Sequence, residues 1–105
     1  MYISSIFFRP GEVPKSLKIY DPSGLSGIFH RYLHGDPQYI ESKLSHFTYV
    51  VRADVPKKTE NLSLVEPGVR LYGPALVLGT KYVGLEEDDI DFFYELLQNE
   101  LIEVF

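Results

Sequence analysis

The sequence predicts a single α+β domain, residues 1–105, in which a mostly antiparallel sheet of four to six strands carries two helices on one face. Short apolar segments rich in β-branched and aromatic residues recur along residues 2–78, separated by Pro-Gly and Gly-Pro turns. Two other segments repeat apolar side chains every three or four residues, as amphipathic helices do. The order strand, strand, helix, strands, helix is typical of the α+β class.

The N-terminal third predicts two antiparallel strands and a helix. Residues 2–8 are β-branched and aromatic, and residues 16–20 alternate polar and apolar side chains across the turn at Pro10-Gly11. The helix that follows has Asp21 and Pro22 as its start signals and Gly35 as its expected C-cap. Its apolar stripe comprises Leu25, Ile28, Phe29, Tyr32 and Leu33.

The middle of the chain predicts further strands joined by polar turns. Residues 54–61 form a polar loop, and Pro67-Gly68 marks a turn. The segment 62–65 fits neither a strand nor a loop decisively. The expected extended segments are residues 38–45, 47–53, 69–72 and 75–78.

The C-terminal segment predicts the longest helix, over residues 86–101. Four consecutive acids in its first turn complement the positive end of the helix dipole. Residues 102–105 either end this helix or add a short edge strand. The apolar stripe comprises Ile90, Phe93, Tyr94, Leu97 and Leu101.

Charge is distributed unevenly along the chain. Residues 1–81 hold all ten Lys and Arg and seven acids, a net charge of +3, whereas residues 82–105 hold the other eight acids and no base, a net charge of −8. The chain lacks cysteine, which excludes disulfides, thiolate metal sites and a cysteine nucleophile. It shows no run long enough to span a membrane and no secretion signal, so a cytoplasmic location is expected.

Three motifs resemble a small domain of unknown function that many phages, plasmids and bacterial genomes carry. They are the turn Pro10–Pro14, a helix ending in glycine followed by Tyr39-Ile40-Glu41, and the segment 73–79 followed by a loop and the acidic start 85–88. The resemblance implies a setting of mobile elements, in which small acidic proteins bind and block host proteins. It supplies no catalytic residues for this chain.

The acidic helix is the predicted partner-binding site. Asp88, Asp91 and Glu95 share one helix face, close to Glu87. Phe92 and Leu96 flank the apolar stripe, and we expect them to stay exposed as apolar anchors inside a charged rim. The sequence therefore predicts a protein that inhibits a host nucleic-acid enzyme or defence protein by binding its basic surface. A second copy of the chain is the other expected partner.

Metal, cofactor and catalytic functions have weaker sequence support. His30 and His34 lie four residues apart, a spacing that can hold a metal with Asp36 or His46, but no acid shares their face. A solvated helix face is the favoured interpretation of this pair. No recognised nucleophile or phosphate-loop motif occurs, so we expect a protein that is not an enzyme and needs no cofactor or metal.

Two ligand-binding alternatives remain. Arg52, Lys57 and Lys58, together with Phe47 and Tyr49, form the one candidate nucleic-acid patch, which a pI of about 5.1 argues against. The second alternative is a binder of nucleotide-like small molecules, whose pocket would be framed by the glycines of the first helix, at positions 24 and 27, and by the Pro-Gly loops.

Overall fold

The computed structural model describes residues 2–20, 25–80 and 83–105. The predicted helix start at Asp21 and Pro22 lies outside the described residues. Within these ranges the elements in chain order are β1 (Tyr2–Phe8), β2 (Lys15–Tyr20), α1 (Leu25–Leu33), β3 (Pro37–Glu41), β4 (Thr48–Arg52), a 3₁₀ turn (Thr59–Asn61), β5 (Leu62–Glu66), β6 (Val69–Tyr72), β7 (Ala75–Leu78), α2 (Glu87–Gln98) and β8 (Glu103–Val104).

The strands form two antiparallel sheets. The larger sheet has five strands in the order β2-β1-β7-β4-β3, and the smaller has three in the order β6-β5-β8. The central strand β7 is buried along its whole length, as its continuous apolar sequence predicts. The antiparallel α+β class is confirmed, and the five strands of the larger sheet fall within the expected four to six. The second sheet, which the sequence did not predict as a separate unit, uses the ambiguous segment 62–65 as its middle strand.

The two helices pack against two different core clusters, and successive residues of a strand in the larger sheet belong to these clusters in alternation. On β7, Leu76 joins the cluster that contains Phe29 and Leu33 of α1. The next residue, Val77, joins the cluster that contains Phe93 of α2. Because successive side chains of a strand point to opposite faces, α1 and α2 cover opposite faces of the sheet. The expected placement of both helices on one face is therefore not confirmed.

Both helices end differently from their sequence predictions. At the end of α1, His34 and not Gly35 adopts the left-handed conformation, with a φ of 58°. Gly35 instead leaves room for Arg52, since a Cβ at this position would lie 2.7 Å from the Arg52 Cδ atom. Helix α2 is shorter than predicted, and Leu101, expected in its apolar stripe, lies beyond the helix and is exposed.

The last residues form an edge strand, one of the two alternatives that the sequence left open. Val104 of β8 pairs with Leu64 of β5, and the Phe105 N–H donates to the Ser63 carbonyl over 3.1 Å. Ile102, immediately before β8, is buried in the same core cluster as Phe93. No helix among the described residues is long and apolar enough to cross a membrane.

A buried carboxylate joins the two sheets. Glu66, at the end of β5, is only 3 % exposed. It accepts hydrogen bonds from the Lys43 backbone N–H (2.6 Å), the Tyr49 hydroxyl (2.9 Å) and the Ser42 hydroxyl (3.0 Å). Because Tyr49 lies in β4 and the other two donors follow β3, these bonds fix the smaller sheet to the edge of the larger one.

This arrangement predicts a tyrosine that resists ionisation. Burial, followed by the neighbouring Glu66 carboxylate, raises the pKa of Tyr49 far above its usual value. The unfolded chain releases the Tyr49 proton near pH 10. The contribution of the protonated hydroxyl to the free energy of unfolding is therefore complete below about pH 10 and declines as the pH rises further. At about pH 11 we expect folded wild type and folded Tyr49→Phe to show equal tyrosinate absorbance. In urea, unfolded wild type should show one tyrosinate more than unfolded Tyr49→Phe. A larger tyrosinate signal in folded wild type than in folded Tyr49→Phe would contradict this assignment.

Candidate functional site

The outward face of α2 carries a row of carboxylates. Glu87, Asp88, Asp91 and Glu95 are all exposed, as the helical phase predicts. Residues four apart on a helix are neighbours along one side and rise about 6 Å, so Glu87, Asp91 and Glu95 form one regular line. We call these four residues the acidic face.

The start of α2 is organised by Asp89. One oxygen of its carboxylate accepts a hydrogen bond from the Glu86 backbone N–H over 3.0 Å, and the other lies 2.8 Å from the His46 Nε2 atom. The first contact satisfies a backbone donor that the helix leaves without an intrahelical acceptor. The second becomes an ion pair when His46 is protonated. His46, a candidate third metal ligand in the sequence, is therefore a partner of the helix.

Within residues 2–20, 25–80 and 83–105, His46 is the one ion-pair partner that the carboxylates of α2 have. In the part of the chain that the structure describes, no Lys or Arg makes an ion pair with a carboxylate between residues 86 and 103. The two other ion pairs there are Arg9 with Glu12 and Arg52 with Asp54, both far from α2 in sequence. All four carboxylates of the acidic face are exposed to solvent.

The prediction that Phe92 and Leu96 stay exposed as apolar anchors is wrong for Leu96 and holds only in part for Phe92. Leu96 is 5 % exposed and belongs to the main core cluster. Phe92 is half-buried, with its ring centroid 5.9 Å from that of Phe47. The core beneath α2 is wider than a single sheet supplies, because Leu64 and Ile102 of the smaller-sheet region join it. The apolar arc of α2, which is too broad for one sheet to cover, is therefore buried against the larger sheet and the smaller-sheet region together.

The β1–β2 turn and the last residues of the chain supply an exposed apolar surface instead. Val13, in the β1–β2 turn, is 76 % exposed, and Phe105, the last residue, is 47 % exposed. With Pro14 and Val104 they line a shallow hollow of about 280 Å³, to which we refer as the terminal hollow. Sequence periodicity does not reveal this surface, because its residues lie in a turn and after an edge strand.

Two hydrogen bonds fix the terminal hollow beside α2. The Gly11 backbone N–H donates to the Phe105 carbonyl over 2.7 Å, which joins the turn to the chain end. The Tyr94 hydroxyl donates to the Pro14 carbonyl over 3.3 Å, which joins the same turn to the helix. The acidic helix and the hollow therefore belong to one continuous region of the surface.

The histidine pair does not form a metal site in the described structure. His30 and His34 are both exposed, and His34 follows the end of α1 in a left-handed conformation, outside the helical register. Among the described residues, no three His, Asp or Glu side chains are grouped closely enough to hold a metal ion.

The predicted basic patch is only partly assembled. Arg52 and Lys57 line one recess, and Arg70 of β6 joins them there. Phe47 and Tyr49 are fully buried and offer no ring on which a base can stack, which corrects their predicted role. Of the glycines expected to frame a nucleotide pocket, Gly24 lies outside the described residues, and the recess is lined by strand and loop residues.

Comparison of the chain with protein-family models, with curated proteins and with solved structures found no match. The resemblance to a domain of phages and plasmids therefore stays a prediction. The structure is an antiparallel α+β domain whose acidic face makes no ion pair with Lys or Arg among the described residues and lies beside an exposed apolar hollow.

Proposed function

We propose that this chain is a non-enzymatic interaction protein that binds a basic surface of another protein through the acidic face of α2. The observation that carries the proposal is that these carboxylates have no cationic partner among the described residues and lie next to an exposed apolar hollow. An apolar anchor combined with a charged rim is the usual composition of a protein interface. In this arrangement the terminal hollow receives an apolar side chain and the carboxylates meet Lys and Arg.

The charge arrangement favours a basic protein over a second copy of the chain. A symmetric dimer through α2 would bring two acidic faces together, which like-charge repulsion disfavours. A basic partner gains attraction over a distance of about one Debye length, roughly 8 Å at physiological salt, which accelerates association. The proposed binding therefore weakens as salt concentration rises.

A nucleic-acid-processing or defence protein of a bacterial host is the partner class that we propose. Such proteins bind phosphates with clusters of Lys and Arg, and a line of carboxylates offers these clusters an alternative anion. Occupying the cluster would block access of nucleic acid, which makes the chain an inhibitor. The resemblance to a mobile-element domain supports this setting.

The surroundings of the carboxylates support binding over catalysis. A catalytic carboxylic acid is tuned by burial or by a close charged neighbour inside a cleft. Asp88, Asp91 and Glu95 are instead exposed on the convex surface of a helix. We therefore propose no reaction at this surface.

Affinity capture from bacterial lysate tests the proposal. The immobilised wild type is compared with Asp88→Lys/Asp91→Lys/Glu95→Lys, which reverses the charge of the acidic face. The matched control, Asp36→Lys/Glu41→Lys/Glu60→Lys, makes the same change in net charge at exposed carboxylates elsewhere. We expect a nucleic-acid-binding protein to be retained by the wild type and the control at low salt, and to be released by added DNA. Equal retention by the charge-reversed variant would contradict the proposal.

A further inference from the structure

A second surface of the molecule has the opposite charge. A recess of about 50 Å³ lies between the β3–β4 edge of the larger sheet and β6 of the smaller sheet. Arg52, Lys57 and Arg70 line it together with the polar side chains of Gln38 and Tyr72. No Asp or Glu among the described residues lines this recess. Three cations therefore converge on one compact space, in a chain whose net charge is −5.

Arg52 is held in place from two sides. Its aliphatic stem lies against Gly35, where any side chain would collide with it. The Nε atom is buried and lies 2.7 Å from the Asp54 Oδ1 atom, but donates no hydrogen bond within the described structure. Asp54 is 79 % exposed, and an ion pair with so exposed a partner contributes little. The guanidinium group thus retains capacity to bind an additional acceptor.

The loop that carries Lys57 is also fixed. Val55 packs against Gly73, whose φ of 79° and lack of a side chain permit a close approach. The Asn61 side-chain amide donates to the Pro56 carbonyl over 2.8 Å, and the Gly73 N–H donates to the Asn61 carbonyl over 2.7 Å. The three cations are accordingly presented on a preorganised frame, which lowers the entropy cost of binding a ligand.

The recess continues into a wider and more apolar space. Ile40 and Arg70 line both the recess and an adjoining space of about 540 Å³. Tyr39 and Val69 supply apolar surface there, Lys43 adds another cation, and Glu41 contributes one carboxylate. A ligand that fits both parts has a compact anionic group at one end and an apolar or aromatic portion at the other.

We propose that this recess and the adjoining space, together the cationic groove, bind a phosphorylated small molecule of nucleotide size. Its phosphate lies among Arg52, Lys57 and Arg70, and its organic portion lies against Tyr39 and Val69. Arginine is suited to this role because its planar group donates paired hydrogen bonds to phosphate oxygens. A nucleic-acid strand would require cations spaced along a track, whereas here they surround one recess.

Calorimetric titration of the full chain with pyrophosphate, and with the adenine, guanine, cytosine and uracil nucleoside diphosphates, tests this site. Arg70→Gln and Lys57→Gln remove charge at exposed positions, so neither is expected to impair folding. We expect each to weaken binding by on the order of tenfold, which corresponds to loss of one charge-assisted contact. Lys18→Gln, an exposed cation of β2, is the matched control and should leave the affinity unchanged.

The outcomes separate this site from the acidic face. Asp88→Lys/Asp91→Lys/Glu95→Lys should bind the phosphorylated ligand at least as tightly as wild type, even though it loses the protein partner. Tighter binding of a nucleoside diphosphate than of pyrophosphate would show that the organic portion contributes. Absence of binding across the panel at millimolar concentration, or equal binding by Arg70→Gln and wild type, would overturn the proposal. So would affinity for oligonucleotides that rises with their length.

Discussion

Replacing Glu66 with alanine is expected to lower the free energy of unfolding by about 3–5 kcal/mol. The substitution leaves the Tyr49 hydroxyl buried without its acceptor and also removes the acceptor of the part-buried Lys43 backbone N–H; each unsatisfied donor costs about 1–3 kcal/mol. It also releases the smaller sheet from the edge of the larger one. Urea unfolding followed by far-ultraviolet circular dichroism measures the change.

Two control variants separate the contribution of the hydrogen bonds from that of charge. Glu66→Gln keeps one acceptor oxygen and should lose less stability than Glu66→Ala. Glu60→Ala removes an exposed carboxylate a few residues away and should stay within about 0.5 kcal/mol of wild type. If Glu66→Ala unfolds at the same urea concentration as Glu60→Ala, the buried junction described here is incorrect.

Phe93→Ala is expected to cost about 3–5 kcal/mol, the range for removal of a fully buried aromatic side chain. Phe93 is 0 % exposed and its ring lies 6.2 Å from that of Phe47 and 6.3 Å from that of Phe8, between α2 and the larger sheet. The cavity left by the substitution lies within the main core cluster, among buried side chains of the strands and of α2.

Phe105→Ala is the matched control for this substitution. Phe105 is half-exposed at the chain end, so its truncation should cost less than about 1 kcal/mol. Similar unfolding midpoints for Phe93→Ala and Phe105→Ala would show that α2 does not pack on the sheet as described. The small expected cost also makes Phe105→Ala suitable for testing the terminal hollow in binding experiments.

The fold was predictable where the pattern of apolar residues is local. The continuous apolar run of β7 indicates burial on both faces, and β7 is the central strand of the larger sheet. The first strand pair follows from its composition and from the turn at Pro10-Gly11. The second sheet escaped prediction because segment 62–65 has no clear pattern, and because β8 has only two residues and pairs with a segment far away in the sequence.

Errors in the predicted site have the same origin. Helical phase places Leu96 on the flank of α2 correctly, but its burial depends on the smaller-sheet region that closes over that flank. Glu66 lies beside Pro67-Gly68 and looks like an ordinary polar turn residue. Its burial depends on donors more than 15 residues away along the chain, at positions 43 and 49. Neither relation is visible in a single sequence.

Charge was the more reliable sequence signal. Residues 82–105 hold acids and no base, and helical phase predicted that the carboxylates of α2 share an exposed face; the structure places Glu87, Asp88, Asp91 and Glu95 in solvent. The sequence also singled out Arg52 and Lys57, although their recess requires Arg70 from a different sheet. The described residues thus present two surfaces of opposite charge on one small domain.

The central claim is that the acidic face and the terminal hollow together bind a basic protein. The most direct measurement is the dissociation constant of the captured partner, at low and at physiological salt, for wild type, Asp88→Lys/Asp91→Lys/Glu95→Lys and Phe105→Ala. We predict that charge reversal weakens binding by about 100-fold or more at low salt, and less at physiological salt, because each of the three rim charges contributes about 1 kcal/mol. Phe105→Ala should weaken binding equally at both salt concentrations, since an apolar contact is not screened. Dissociation constants that are equal for the three proteins would contradict the account.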